Sequence, residues 1–313
     1  MGTVSSRLAE YKARSDLRES SIEILDRAVK WFIQQFGDID PAEIRYGHAD
    51  DFKSWLAKGR SRSSANTYLS IFKPFFGWLN KRRYIEQDPF DGVKLYIVPE
   101  KKIEIYSLDE IERILKIANQ IWRTIICLAL CSMREAEILN LVVSDIDFAK
   151  NLILISAKKD TNTTWLWQIK DYHQAYIGFD DCITKLLIER SELLKAGQMP
   201  YICLKEKYWQ RNLRLRAEGR LPHRLRNCPW GNFNRDFKSL LWRARVKPKR
   251  FHDLRSTFAT ERYNDGYSLK ELQYLMRHSS IQTTARYIKN VDEQLLVAKS
   301  SRTFKKYYAT KVS

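Results

Sequence analysis

Residues 251–291 read FHDLRSTFATERYNDGYSLKELQYLMRHSSIQTTARYIKNV. His252 and Arg255 are three apart, so they share one face of a helix, while Leu254 and Phe258 can face a core. Gly266 ends that helix. Ser268-Leu-Lys-Glu271 is a capping box, in which the Ser hydroxyl and the Glu carboxylate each accept from the other's backbone N–H. Leu269, Leu272, Leu275 and Met276 supply the apolar stripe behind it. His278 stands at the end of this second helix, and Ser280 can cap a third that leads to Tyr287. His, Arg, His and Tyr can therefore converge from neighbouring helices. Singly, each reads as an ordinary helix-surface or capping residue. Only the pattern as a whole points to chemistry.

Immediately upstream the chain is strongly basic. Residues 205–250 hold fifteen Lys/Arg against three Asp/Glu, a net of +12 out of +18 for all 313 residues. Residues 1–100 hold sixteen against fourteen. Trp209, Trp230, Phe233, Phe237 and Trp242 interrupt the basic stretch, so it reads as a folded surface rather than a disordered tail. Such a surface is either a solvated face or a footprint for a polyanion, with nucleic acid the first candidate. The 44% hydrophobic content excludes global disorder. The longest apolar run, Ile125 to Cys131, is far short of a membrane span. No basic-then-apolar leader is visible, so the expected setting is cytoplasmic and nucleoid-associated, without a membrane partner. The five cysteines are odd in number and scattered, which reads as free thiols rather than a disulfide framework or zinc site.

The length suggests two domains. Residues 1–95 read as helical, with Trp31, Phe32 and Phe36, and then Tyr68, Ile71, Phe72, Phe75, Phe76 and Leu79, at helical spacing. Lys58-Gly-Arg60-Ser-Arg62 and Lys81-Arg82-Arg83 lie at loops or helix ends, where they either touch phosphates or are simply solvated. Residues 96–106 form an extended linker containing Pro99. A second domain, 107–313, opens on the capping box Ser107-Leu-Asp-Glu110. Helices follow at 121–130 and 134–141. Asn151–Ala157, Thr164–Ile169 and Ala175–Phe179 then read as a three-stranded antiparallel sheet. The expected fold is mainly α with a small antiparallel β-sheet: a helical N-terminal domain and a mixed α+β second domain.

The stretch with which the reading began resembles the second half of the signature of the tyrosine recombinases, the phage integrase family. There, H-x-x-R precedes a His in L-G-H-S-S, and a nucleophilic Tyr lies nine residues beyond that His. Here His278 and Tyr287 have that spacing. The first half, T-G-L-R-x-x-E, has its counterpart in Cys131-Ser-Met-Arg134-Glu-Ala-Glu137. Two departures stand out: Ser132 and Arg277 occupy positions where the family usually has Gly, so local geometry can differ there.

The resemblance implies a site-specific DNA recombinase or integrase of a mobile element. Its N-terminal residues would form a core-binding domain, and the rest a catalytic domain with a protomer-docking tail. The implied catalytic set is Arg134, Lys170, His252, Arg255, His278 and Tyr287, with Glu137 in support. For the catalytic Lys of the family's β-hairpin, Lys170 is favoured and Lys158 is the alternative. Two always-charged guanidiniums suit the equatorial oxygens of a phosphodiester under attack. A phenol of ordinary pKa near 10 needs a base, which His252 would provide, and Lys170 would protonate the leaving 5′-oxygen. No cofactor or metal is required. The implied partners are duplex DNA and a homotetramer assembled on two DNA sites, with room for accessory DNA-bending proteins. A non-catalytic helix-turn-helix regulator is a competing reading of 268–287, but it leaves Arg134, His252, Arg255 and the nine-residue spacing unexplained. A type IB-like topoisomerase or telomere resolvase would share the chemistry without strand exchange.

Overall fold

The computed structural model describes residues 2–99, 103–169, 174–195 and 199–287. The chain divides into two compact units, Met1–Lys101 and Lys102–Ser313.

The first unit is built from α1 (Val4–Arg14), α2 (Glu19–Phe36), α3 (Tyr46–Lys58) and α4 (Arg62–Lys81). Thr3 and Ser61 cap α1 and α4 through their hydroxyls, satisfying amides that a helix start leaves unpaired. The aromatic residues meet in one cluster: Phe32, Phe52, Phe72, Phe75, Phe76 and Phe90 are fully buried. Phe72 touches all five of the others with ring centroids 5.0–6.5 Å apart, the tilted and edge-on geometry that aromatic quadrupoles favour. Asp88 accepts from the Phe90 amide at 2.8 Å and so turns the chain around Pro89 to deliver Phe90 into that cluster. Arg60, which the sequence leaves between phosphate contact and solvent, lies over Trp31 at 3.9 Å and Trp55 at 4.8 Å. Its stem and charge therefore cover aromatic surface.

The second unit runs α5 (Leu108–Ile117), α6 (Gln120–Leu130), α7 (Glu135–Leu139), β1 (Ile146–Asp147), β2 (Leu152–Ile155), β3 (Ala175–Gly178), α8 (Asp181–Lys195), α9 (Glu206–Ala217), α10 (His223–Asn227), α11 (Phe233–Arg243), α12 (His252–Asn264), α13 (Leu269–Met276) and α14 (Ile281–Ala285). Both expected capping boxes form. The Glu110 amide donates to Ser107 at 3.2 Å and the Ser107 amide to Glu110 at 2.9 Å. Ser268 and Glu271 repeat the pattern at 3.3 and 2.7 Å. The architecture is mainly α with a small antiparallel sheet, as the sequence pattern implies.

The sheet differs from expectation in its membership. Its order is β1-β2-β3, antiparallel throughout, with Ile153 opposite Ile146 on one side and Ile177 on the other. The run Thr164–Ile169 is not one of its strands; it meets the preceding arm at the bridge between Lys158 and Trp167 and in the turn contacts of Thr164. The reason lies in its tryptophans. Trp165 is fully buried, stacks on Tyr201 at 4.4 Å and donates its indole N–H to Asn140 at 3.1 Å. Trp167 donates to Asn227 at 3.1 Å. A buried indole needs an acceptor, and these acceptors lie away from the sheet. Among the described residues, no helix is long and apolar enough to cross a membrane.

Phe72→Ala should open a cavity at the centre of the aromatic cluster and destabilise the first unit by about 3–5 kcal/mol. Urea unfolding followed by tryptophan fluorescence measures it; a midpoint equal to that of the unsubstituted chain would refute central packing at this ring.

Candidate active site

The site forms where three turns of the second unit meet. After α6 the chain reverses through Ser132, whose φ of 68° is left-handed. Arg134 then caps α7. Its backbone N–H donates to Glu137 Oε2 at 2.7 Å, and its Nη1 donates to Glu137 Oε1 at 2.8 Å. Its Nη2 donates to the carbonyl of Arg277 at 2.7 Å. The i, i+3 spacing of Arg134 and Glu137 on a helix start permits both contacts at once. Glu137 is 2% exposed, so its charge is held in place by the guanidiniums around it. Arg277, Arg134 and Arg255 keep its carboxyl below the usual range against the opposing pull of burial.

Arg255 lies on α12 and is 1% exposed. It donates through Nη1 to the Ser132 carbonyl and through Nη2 to the Met276 carbonyl. Its Nε is buried without a partner. Burial first, and then the charges of Arg277 and Arg134, draw its pKa down to about 9.

His252 begins α12. Its ring is open to solvent on one side. Desolvation of the rest, followed by Arg255 and Arg250, lowers its pKa to about 4. It is therefore neutral at pH 7 and has a lone pair to accept a proton. His278 follows Arg277 at the end of α13. Its Nδ1 bonds the Thr284 hydroxyl at 2.9 Å, and its ring lies nearly parallel to that of Tyr287, with centroids 6.1 Å apart and planes at 11°. Tyr287 follows α14 and is 5% exposed, packed beside Ala259, Met276 and Phe258. Ser280 caps α14 by accepting from the Gln282 amide, which sets the turn between His278 and Tyr287. Arg134, His252, Arg255, His278 and Tyr287 thus gather in one region, contributed by α7, α12 and the turns flanking α13 and α14.

Lys170 lies outside the described residues. Lys158 is engaged elsewhere. It is buried, and its ammonium donates to Asp145 at 2.9 Å and to the Ser156 carbonyl and hydroxyl at 2.7 and 3.2 Å. All three of its protons are used, in a strut that ties Lys158 to the turn at Asp145. Neither the Asp145 partner nor the burial of Lys158 is signalled by local sequence. The role of Arg277 is likewise hidden, because only the fold brings its side chain to Glu137, with 2.7 Å between Nη2 and Oε2.

A cleft of about 1070 Å³ opens beside these groups, lined by Cys131, Arg134, Ile169, Gln174, Arg277 and His278 among others. Its lining carries Arg134, Arg262, Lys270 and Arg277 against Glu137 and Asp180, so its wall is net positive, a setting for a negatively charged ligand. Among the described residues, no group of three or more His, Cys, Asp or Glu side chains is arranged to hold a metal ion. The basic stretch 205–250 divides by role. Arg211 bonds Asn212 and the Pro229 carbonyl, and Arg216 bonds the Thr164 carbonyl and Asp160, so both brace the fold. Arg235, by contrast, is 74% exposed and bonds its sequence neighbour Asp236 at 3.2 Å.

The phage integrase family model matches residues 105–294. The chain is 26% identical over 259 residues to a tyrosine recombinase XerC-like protein of Caldanaerobacter subterraneus subsp. tengcongensis, a match covering 75% of this chain and 64% of that relative. It is 26% identical over 267 residues to the tyrosine recombinase XerC of Bacillus subtilis, covering 80% and 78% of the two chains. Among solved structures it is similar to the Tn1549 transposon integrase in complex with transposon right-end DNA, with a TM-score of 0.68, 18% identity, and 96% and 99% of the two chains covered. It is also similar to a lambda integrase dimer bound to a core site, with a TM-score of 0.67, 16% identity, and 92% and 96% covered. At these identities the structural likenesses speak for the fold.

The imidazole of His252 should titrate near pH 4, well below an unperturbed histidine near 6.5. Histidine NMR across pH 3–8, assigned with His252→Gln, reads this directly. Since the folded state binds this proton more weakly than the unfolded one, stability falls as pH drops from about 6.5 to about 4. A midpoint at or above 6.5 would contradict the neutral assignment.

Proposed function

The chain belongs to the phage integrase family, and from that premise we propose that it is a site-specific DNA recombinase that cuts and rejoins duplex DNA through a 3′-phosphotyrosine intermediate. The observation that carries this reading is the gathering of Arg134, Arg255 and His278 near the ring of Tyr287, beside a cleft whose lining is net positive.

The proposed steps follow from the chemistry of each group. Arg134 and Arg255 hold the non-bridging oxygens of the scissile phosphate, where charge builds as phosphorus is attacked. His278, oriented by Thr284, donates to another phosphate oxygen. The Tyr287 oxygen attacks phosphorus as neutral His252 takes up its proton. The bond from phosphorus to the 5′-oxygen breaks, and Lys170 protonates that oxygen. The products are a phosphotyrosine and a free 5′-hydroxyl. Attack by a 5′-hydroxyl from another duplex reverses the steps and exchanges strands. The covalent linkage conserves the phosphodiester, so no nucleotide hydrolysis enters. The fully engaged ammonium of Lys158 supports Lys170 as the acid, and Ile169 and Gln174, on either side of it in sequence, line the same cleft.

The protein binds DNA and oligomerises. We assign it a homotetramer on two DNA sites, in line with the lambda integrase tetramer solved on a Holliday junction. Integration or excision of a mobile element, within the cell's nucleoid and with accessory DNA-bending proteins, is the expected setting.

A pool of nicked duplexes with randomised sequence tests the chemistry. The protein should form a covalent DNA adduct that survives denaturing electrophoresis. Tyr287→Phe should abolish it, and Arg134→Ala or Arg255→Ala should slow it about 100- to 1000-fold. Binding without any adduct would leave a non-catalytic DNA-binding protein. Affinity should fall steeply with salt, and Arg235→Ala should weaken binding evenly across sequences and lower the log–log salt slope by about 1. An unchanged slope would remove Arg235 from the DNA contact.

A further inference from the structure

Two residues with side chains sit in the left-handed region beside the site: Ser132 with φ 68° and Arg277 with φ 50°. This region is disfavoured for any residue carrying a Cβ, and the sequence pattern of the family has Gly at both positions. The non-glycine pair is held by mutual contact. Arg277 Nη1 donates to Ser132 Oγ at 3.2 Å and to the Leu275 carbonyl at 3.3 Å. Its Nη2 donates to the Ser132 carbonyl at 2.8 Å and to Glu137 Oε2 at 2.7 Å. The Ser132 hydroxyl in turn donates to the Leu275 carbonyl at 2.9 Å.

These contacts decide what Arg277 can do. A guanidinium has five N–H groups. Four are engaged with protein acceptors, and the fifth, on Nε, is buried without a partner. The side chain is 13% exposed. Its Nη groups are thus spent on protein acceptors rather than on a phosphate, which the reading above gives to Arg134 and Arg255. It acts instead on the groups that orient them. It takes one oxygen of Glu137, while the Arg134 guanidinium takes the other. It also shares the Ser132 carbonyl with Arg255. Its own backbone carbonyl receives Arg134 Nη2.

We propose that Arg277 is a positioning residue for strand cleavage: it latches the Ser132 turn to the turn before His278, and through Glu137 and the Ser132 carbonyl it fixes the two phosphate-binding arginines. This rests on the recombinase reading above. The Ser132 and Arg277 departures then belong together as one device. A glycine pair would allow the same two turns but could not cross-brace them. A lysine could supply the charge but not the fork that spans Glu137 and Ser132.

Single-turnover cleavage of the nicked duplex captured by the wild-type chain tests this, alongside the Kd for the same duplex. Arg277→Gly accepts the left-handed backbone without strain, and Arg277→Lys keeps the charge if the glycine variant folds poorly. Both should cleave about tenfold or more slowly, with Kd changed by less than about twofold, as expected for misplaced catalytic groups. In a Glu137→Gln background the further loss from Arg277→Gly should shrink to about threefold or less, because groups acting through one another are non-additive. Wild-type rates in either variant would overturn the proposal. So would a fall in affinity that matches the fall in rate, which would make Arg277 a phosphate contact. Fully multiplicative losses with Glu137→Gln would also overturn it. If the wild-type chain itself forms no adduct, the recombinase reading fails and this proposal falls with it; an active wild type with unaffected variants removes this proposal alone.

Discussion

The second unit's chemistry hangs on one buried carboxylate. Glu137 is almost wholly removed from water and is flanked by Arg134 and Arg277, each at hydrogen-bonding distance. A buried carboxylate without partners would be protonated or would unfold its surroundings. Here the cations need it as much as it needs them. Arg134, Arg255 and Arg277 together would repel one another if the anion were absent. With it, a net positive charge survives inside the fold. A scissile phosphate, on the proposed reading, completes a balance that the protein leaves unfinished.

The same economy governs the positive surface. Counting charge treats all fifteen cations of residues 205–250 alike. The structure separates them. Arg211 and Arg216 spend their N–H groups on backbone carbonyls and side chains of neighbouring segments, and Lys205 lies over Trp230 at 4.8 Å. Lys249 bonds the Ile105 carbonyl and Glu110. Such residues shape the surface. Exposed residues such as Arg235 are the ones that can meet phosphates, where each contact releases counterions.

Local signals in the chain were legible in proportion to their range. The capping boxes at Ser107 and Ser268 involve residues three apart, and both form. The Arg134–Glu137 pair is equally local. The helical aromatic stripes of residues 1–95 marked a core because periodicity alone reveals a buried face. The run Thr164–Ile169 misled for a matching reason. Its composition is that of a strand, yet its two indoles are drawn to Asn140 and Asn227, which are distant in sequence. The Lys158–Asp145 strut is of the same kind, thirteen residues apart and carried by a turn that no pattern announces.

By itself the sequence determined the helical periodicity, the caps and the spacing between His278 and Tyr287, since each depends on neighbours within a few turns of chain. It also showed that Ser132 and Arg277 depart from glycine, without showing what the departures do. Tertiary structure decided that both keep the left-handed backbone, that Arg277 crosses 140 residues of sequence to reach Glu137, and that Lys158 is spoken for. The physical reason is that hydrogen bonds and ion pairs are made by proximity in space, and proximity between distant segments exists only once the cores have closed around them.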